Sequence, residues 1–202
     1  MRTIEKLFDI IKKGKEIELL KSGSTFCGYV IDRVIGKGSY GVIYLVHKPQ
    51  NKKPLAMKCE KINMKKNSGL KNEINVQLHL SKSPYFLDFY DSGEYQTWKY
   101  VIMELLGPSL SKIARICTNK KFSYYTWIRT SQEMIKCIRE FHGQGFVHRD
   151  IKPSNFLVRS GSNNFLVLID YGMAKEYRDP ETGKILPQSE DDKFYGTMRY
   201  AS

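Results

Sequence analysis

Long apolar runs, paired cysteines and internal repeats are all missing from this 202-residue chain. No stretch approaches the roughly 20 apolar residues that a membrane-crossing helix needs, so no membrane span is expected. The N-terminus alternates apolar and charged residues in place of a signal peptide's apolar core. The four cysteines, Cys27, Cys59, Cys117 and Cys137, form no C-x-x-C pair, and the four histidines show no ligand spacing. This pattern argues against a zinc site or a disulfide framework and reads as free thiols in a reducing compartment. An intracellular protein of the cytoplasm or nucleus is the expectation.

What is present suits a folded chain: 41% of residues are hydrophobic and 12% aromatic, more than disorder would carry. The formal net charge is +12, which makes polyanions plausible partners on electrostatic grounds alone. The surplus is unevenly spread. Eight lysines and one acid lie between Lys48 and Lys71, whereas from Asp170 onward seven acids face five bases. A nucleic-acid protein more often gathers its charge on one stripe with stacking aromatics, so nucleic acid is not expected as the primary partner.

Ile4, Leu7, Phe8 and Ile11 fall on one face of a short helix, and "KSGSTFCG" reads as a linker, giving an N-terminal extension over 1–25. Val30–Ile35 and Val42–Val46 read as strands flanking a glycine turn. "PQNKKP" is expected to turn into a third strand, "LAMKCEKI". Leu70, Ile74 and Leu78 suggest a helix, and two strands are expected to join at a turn around Ser92–Gly93. From Tyr125, the residues Ile128, Ile135, Ile138 and Phe141 hold helical spacing up to Gly143. "FVHRD" and "NFLVLIDYG" are short β-like runs.

Gly36-x-Gly38-x-x-Gly41 is a weak signal alone, since dinucleotide-binding folds share the spacing. There the glycines open a helix; here "VIYLV" follows directly, so they cap a hairpin. Such a hairpin can lay backbone N–H groups over phosphates, and it also suits a plain glycine turn. Lys58 sits among apolar strand residues, where its charge needs a partner, and Glu73 on the expected helix is a suitable one. A snorkelling surface lysine is the competing reading.

"HRDIKPSN" supplies His148-Arg149-Asp150, then Lys152 and Asn155, and Asp170-Tyr171-Gly172 follows 20 positions after Asp150. This matches the catalytic loop and metal-binding element of protein kinases. Asp150 can accept a hydroxyl proton, Asn155 and Asp170 offer oxygen ligands to Mg²⁺, and Lys58 and Lys152 supply charge for phosphates. "MELLGPSL", "HRDIKPSNFLV", "IDYGMAKEYRDPETGK" and "GTMRYAS" further resemble the casein kinase I family of Ser/Thr protein kinases, over about residues 28–202.

The resemblance implies an α+β, bilobal fold. A mainly antiparallel β lobe with one helix would cover 26–106 and a mainly helical lobe 107–202. It implies ATP and Mg²⁺ as cofactors, and protein substrates with Ser or Thr near acidic or phosphorylated residues. Met103 would be the gatekeeper, with Glu104 and Leu106 on the hinge. Ile35, Ile43, Ala56, Leu157 and Ile169 would wall the adenine pocket. Arg178, Lys193 and Arg199 would form a pocket that reads substrate phosphate.

Tyr171 stands where this family usually has Phe, which adds a hydroxyl and is expected to do little harm. Ser154 replaces an acid common in the family and touches no catalytic group. Family chains continue after "RYAS" into further helices, so the second lobe is expected to be incomplete. A second reading, a catalytically inactive kinase-like module that binds nucleotide or a partner, rests on that ending.

Overall fold

The computed structural model describes residues 19–38, 41–62, 69–80, 82–161, 165–188 and 194–201. The helix expected over Ile4–Ile11, together with Ser189 and Lys193, lies outside them. The first half builds a six-stranded antiparallel sheet from β1 (Thr25–Phe26), β2 (Tyr29–Gly38), β3 (Gly41–Lys48), β4 (Asn51–Lys61), β5 (Phe89–Tyr95) and β6 (Trp98–Glu104). Its strand order is β1-β2-β3-β4-β6-β5. Strand β3 shows why a sheet forms here. Val42, Tyr44 and Val46 alternate inward and pack with Ile31, Met57 and Ile102 into one core.

Part of the segment read as linker joins this sheet. Thr25 pairs with Val30 and Phe26 with Tyr29, and the buried Phe26 ring meets Tyr95 edge-on at 4.9 Å. The turn after β3 is also tighter than expected: only Pro49 and Gln50 turn, and Asn51 already pairs with Lys48. The turn expected at Ser92–Gly93 falls instead at Gln96–Thr97, where Gln96 takes φ 55°. Gly93 serves a cross-strand approach. A Cβ there would sit 3.0 Å from the Tyr100 hydroxyl and 3.2 Å from its ring.

One helix, α1 (Gly69–His79), packs on the sheet and buries Leu70, Glu73 and Val76. Leu78, expected on that face, is 65% exposed. Each i+4 step overshoots a helical turn by about 40°, so the Leu70–Ile74–Leu78 row drifts off a face centred on Glu73. The second half adds α2 (Leu110–Ile116) and α3 (Tyr124–Gly143). Ser109 and Ser123 cap them, accepting backbone N–H groups of Lys112 and Thr126. Helix α3 buries Thr130, Glu133, Cys137 and Phe141, while Ile135 is 65% exposed, contrary to the expected face.

Among the described residues, two short antiparallel pairs join these helices: β7 (Phe146–Val147) with β10 (Lys175–Glu176), and β8 (Phe156–Val158) with β9 (Leu166–Leu168). The core of this lobe gathers Phe86, Phe141, Phe156, Leu166, Leu168 and Tyr171. The architecture is therefore α+β and bilobal. A third apolar cluster lies between the lobe cores and mixes residues of both, Ala56 and Met103 with Val167 and Ile169. No helix among the described residues is long and apolar enough to cross a membrane.

Candidate active site

The interlobe cluster contains most of the apolar positions expected to wall a nucleotide pocket. Ala56 and Met103 are buried in it, and Ile35, Ile43, Leu106 and Ile169 pack against it. Leu157 pairs across β8–β9 with Val167, a buried member of the same cluster. Met103 pairs with Ala56, and Glu104 ends β6, where the chain crosses to the second lobe.

The glycine hairpin roofs this region. Gly36 and Gly38 pair with Ile43 and Gly41 across β2–β3, and the tip at 39–40 lies outside the described residues. Gly41 has a steric reason to be glycine. A Cβ there would fall 2.2 Å from the carbonyl oxygen of Cys59.

Lys58 is held as expected, and more tightly. Its Nζ donates to Glu73 Oε2 at 2.5 Å and to Asp170 Oδ1 at 3.2 Å. Burial works against the ammonium, but Glu73 and Asp170 outweigh it and raise its pKa above the ordinary lysine value. Lys58 therefore carries a full charge between two carboxylates, one from α1 and one from the turn that follows β9. One residue before Glu73, the Asn72 amide donates to Tyr171 O at 3.0 Å, Gly172 O at 3.3 Å and Ala174 O at 2.9 Å. Sequence reading missed Asn72, since its partners lie about a hundred residues away.

The loop from His148 to Asn155 closes on itself. Asp150 is buried and takes Lys152 Nζ at 2.5 Å and the Thr197 hydroxyl at 2.8 Å. Burial would raise the Asp150 pKa, but hydrogen bonds from Lys152, Thr197 and Asn155 prevail and hold it below the ordinary carboxylate value. Lys152 Nζ also donates to Thr197 Oγ1 at 3.0 Å, so base, cation and hydroxyl form a triangle. Two residues earlier, the Tyr195 ring lies 4.1 Å from the Arg149 guanidinium carbon, and Arg149 Nε donates to Met173 O at 2.6 Å. Segment 195–197 thus grips the loop twice. Arg149 and Asp170 both adopt positive φ, 64° and 71°. Backbone conformations this uncommon for side-chain-bearing residues persist where surrounding contacts enforce them.

His148 is the buried hinge of this loop. Its Nε2 donates to Ile169 O at 3.0 Å, and its Nδ1 accepts the Asp150 N–H at 3.2 Å. Only the neutral imidazole does both, and burial lowers its pKa accordingly. The unfolded chain, with a histidine near its ordinary value of about 6.5, takes up a proton that the folded chain resists. Stability therefore falls as pH drops below about 6.5. Melting temperatures taken from pH 7.5 down to 5.5 are expected to fall more steeply in the native chain than in His148→Gln. Glutamine keeps one donor and one acceptor and does not titrate.

Tyr171 answers the question its hydroxyl raised. The hydroxyl donates to Leu168 O at 2.6 Å, and the ring stacks on Phe141 with centroids 5.2 Å apart. Tyr171→Phe is expected to lower unfolding free energy by about 1 kcal/mol, the worth of one such bond. Urea unfolding reads that change.

A metal would find suitable ligands here. The Ile169 N–H donates to Asn155 O at 2.9 Å, which brings Asn155 beside Asp170. The Asn155 amide nitrogen is spent on Asp150 O at 2.9 Å, so its side-chain oxygen turns the other way. The Asp170 side chain is 36% exposed and keeps carboxylate surface open beside its contact with Lys58. One carboxylate and one amide oxygen fit Mg²⁺, which takes few protein ligands and completes its shell with phosphate and water. No cluster of three His, Cys, Asp or Glu residues suited to holding a metal occurs among the described residues. A cavity of about 470 Å³ lies between α1, Phe146, Arg149 and Tyr195, and neither Lys58 nor Asp170 lines it.

Of the three residues expected to read substrate phosphate, Arg178 and Arg199 lie among the described residues. Arg178 is exposed and lies near the Tyr177 ring, its N–H bonded to Gly145 O. Arg199 sits in the turn Met198–Tyr200 near the Tyr200 ring, and Lys193 lies outside the described residues.

Comparison with known proteins agrees with this geometry. Residues 29–202 match the family described as protein kinase domain. Over 184 residues, 90% of its length, the chain is 34% identical to a protein of Dictyostelium discoideum described as a probable serine/threonine-protein kinase. The chain spans 37% of that relative's length. On the match across most of its residues, the chain belongs to the protein kinase family.

Proposed function

We propose that this chain transfers the γ-phosphoryl group of ATP to Ser or Thr hydroxyls of proteins, with a preference for acidic or already phosphorylated substrates. One observation carries the reading: the Thr197 hydroxyl already donates to Asp150 Oδ1 at 2.8 Å with Lys152 Nζ alongside. A substrate hydroxyl has the same chemistry and can meet the same carboxylate.

Asp150, held ionised, accepts the proton as the substrate oxygen forms its bond to phosphorus and the bond to the β-phosphate oxygen breaks. Lys152 sets its charge against the negative charge gathering there. Lys58, fixed by Glu73, binds phosphate oxygens from the other side of the cleft. Asn155 and Asp170 would hold Mg²⁺, which, when bound with ATP, neutralises phosphate charge. The apolar residues from Ile35 to Ile169 enclose the base and exclude water. The acidic preference rests on the resemblance to casein kinase I and on the exposed bases Arg178 and Arg199.

Transfer from labelled ATP to casein, before and after removal of its phosphate groups, tests this reading against the Asp170→Ala variant. Transfer by the native chain, strongest on phosphorylated casein and lost in the variant, is expected. A native chain that is folded and stabilised by Mg-ATP but transfers nothing would instead be a nucleotide-binding module.

A further inference from the structure

Arg159 follows β8 and lies outside every motif in the sequence. Its side chain is only 17% exposed, and its guanidinium reaches two other stretches of chain. Nε donates to Glu104 Oε2 at 3.1 Å, and Nη2 meets Oε1 of the same carboxylate. Nη1 donates to Pro84 O at 2.6 Å and Nη2 to Phe86 O at 2.7 Å.

Glu104, 15% exposed, extends the network. Its Oε1 accepts the Asp88 N–H at 2.9 Å, and its own N–H donates to Asp88 O at 3.0 Å. The Arg159 N–H is anchored on Phe165 O at 2.8 Å. The partners of the guanidinium are 55 to 75 residues from Arg159, so no local turn demands the arrangement. It is a tertiary tie. It joins the end of β6, the connection 84–88 and the β8–β9 hairpin. A planar fork with five donors suits that task, whereas a lysine could supply the charge but not the set of bonds.

We propose that Arg159 is a positioning residue. It locks the crossover from Glu104 to Gly107 against the second lobe, and so sets the affinity of the cleft for adenine nucleotide. The affinity half of the proposal rests on the nucleotide reading given above. Met103 and Leu106, on either side of Glu104 and Leu105, belong to the apolar cluster expected to enclose the base. On the far side, the Gly107 N–H donates to Val158 O at 2.8 Å, next to Arg159. The crossover is thus fastened at both ends, and a site ordered before ligand arrives loses less freedom on binding.

The test compares native chain, Arg159→Met and Arg159→Lys by amide hydrogen exchange in the free protein and by Mg-ATP titration. In Arg159→Met, the amides of Asp88, Glu104 and Gly107 are expected to exchange roughly tenfold to a hundredfold faster. Those of Cys137 and Phe141 in α3 should stay unchanged. The Kd for Mg-ATP is expected to rise about tenfold, as loss of one or two charge-assisted bonds allows. Arg159→Lys should fall between. Should Arg159→Met not fold, Glu104→Gln removes the same ion pair and keeps an acceptor for Asp88. Unchanged exchange at the crossover would overturn the lock. Faster exchange with unchanged Kd would overturn its role in affinity. A native chain that binds no Mg-ATP would remove the nucleotide reading and the affinity half with it, and exchange alone would then decide the lock.

Discussion

Asp150→Asn is expected to slow phosphoryl transfer by about 10²–10⁴-fold, the usual contribution of a positioned base. Asparagine keeps the shape of the side chain and can still accept the Thr197 hydroxyl bond at Oδ1, but it cannot take up the proton. The loss should therefore appear in the transfer step and not in nucleotide binding. Single-turnover transfer of labelled phosphate, run beside the Mg-ATP-induced rise in melting temperature, separates the two. Native-like transfer by the variant would remove Asp150 from the role of base. Loss of both signals would mean that the loop itself had collapsed, which the bonds from Asn155 to the backbone carbonyl of residue 150 and from Thr197 to Oδ1 make the less expected result.

The second large effect belongs to the ion pair in the cleft. Lys58→Met leaves Glu73, almost wholly buried, without the cation that compensates it. Breaking a buried pair in this way typically costs about 3–5 kcal/mol, because the carboxyl left behind, whose pKa burial already raises, must either hold a charge without water or partner or take up a proton. Urea unfolding should show that loss, and Mg-ATP should no longer raise the melting temperature. Removing both charges, as Lys58→Met with Glu73→Met, is expected to recover much of the stability while nucleotide binding stays lost. A double variant as unstable as the single one would show that the helix depends on Glu73 itself and not on the pairing.

Features that depend on neighbours in sequence were legible in advance. The strands Val30–Ile35 and Val42–Val46, the helix around Glu73 and the long helix ending at Gly143 all appear. The pairing of Lys58 with Glu73 was inferable because a lysine in an apolar strand needs a partner, and the next helix offered one acid on its inner face. What sequence could not supply were decisions made across space. Gly93 looks like a turn residue until Tyr100 is placed over it. Leu78 and Ile135 look inward by spacing alone, but the packed faces centre on Glu73 and Glu133, polar residues that no hydropathy pattern selects. Arg159 and Asn72 carried no local signal at all.

Asn72 and Glu73 are consecutive, yet they hold different things. One grips the chain after Asp170 through three carbonyls, the other grips Lys58. A rigid outward displacement of helix α1 would therefore strain the hold on the lysine and the hold on the segment 171–174 together. Both sets of bonds lie within one helical turn, so a rigid movement of that turn loads both. Such coupling turns a sliding motion into a choice between two populations, engaged and released. Anything that favours one grip shifts the occupancy of the other by the same free energy. A segment that becomes ordered at Tyr171–Ala174 would thus strengthen the hold on Lys58 without touching it.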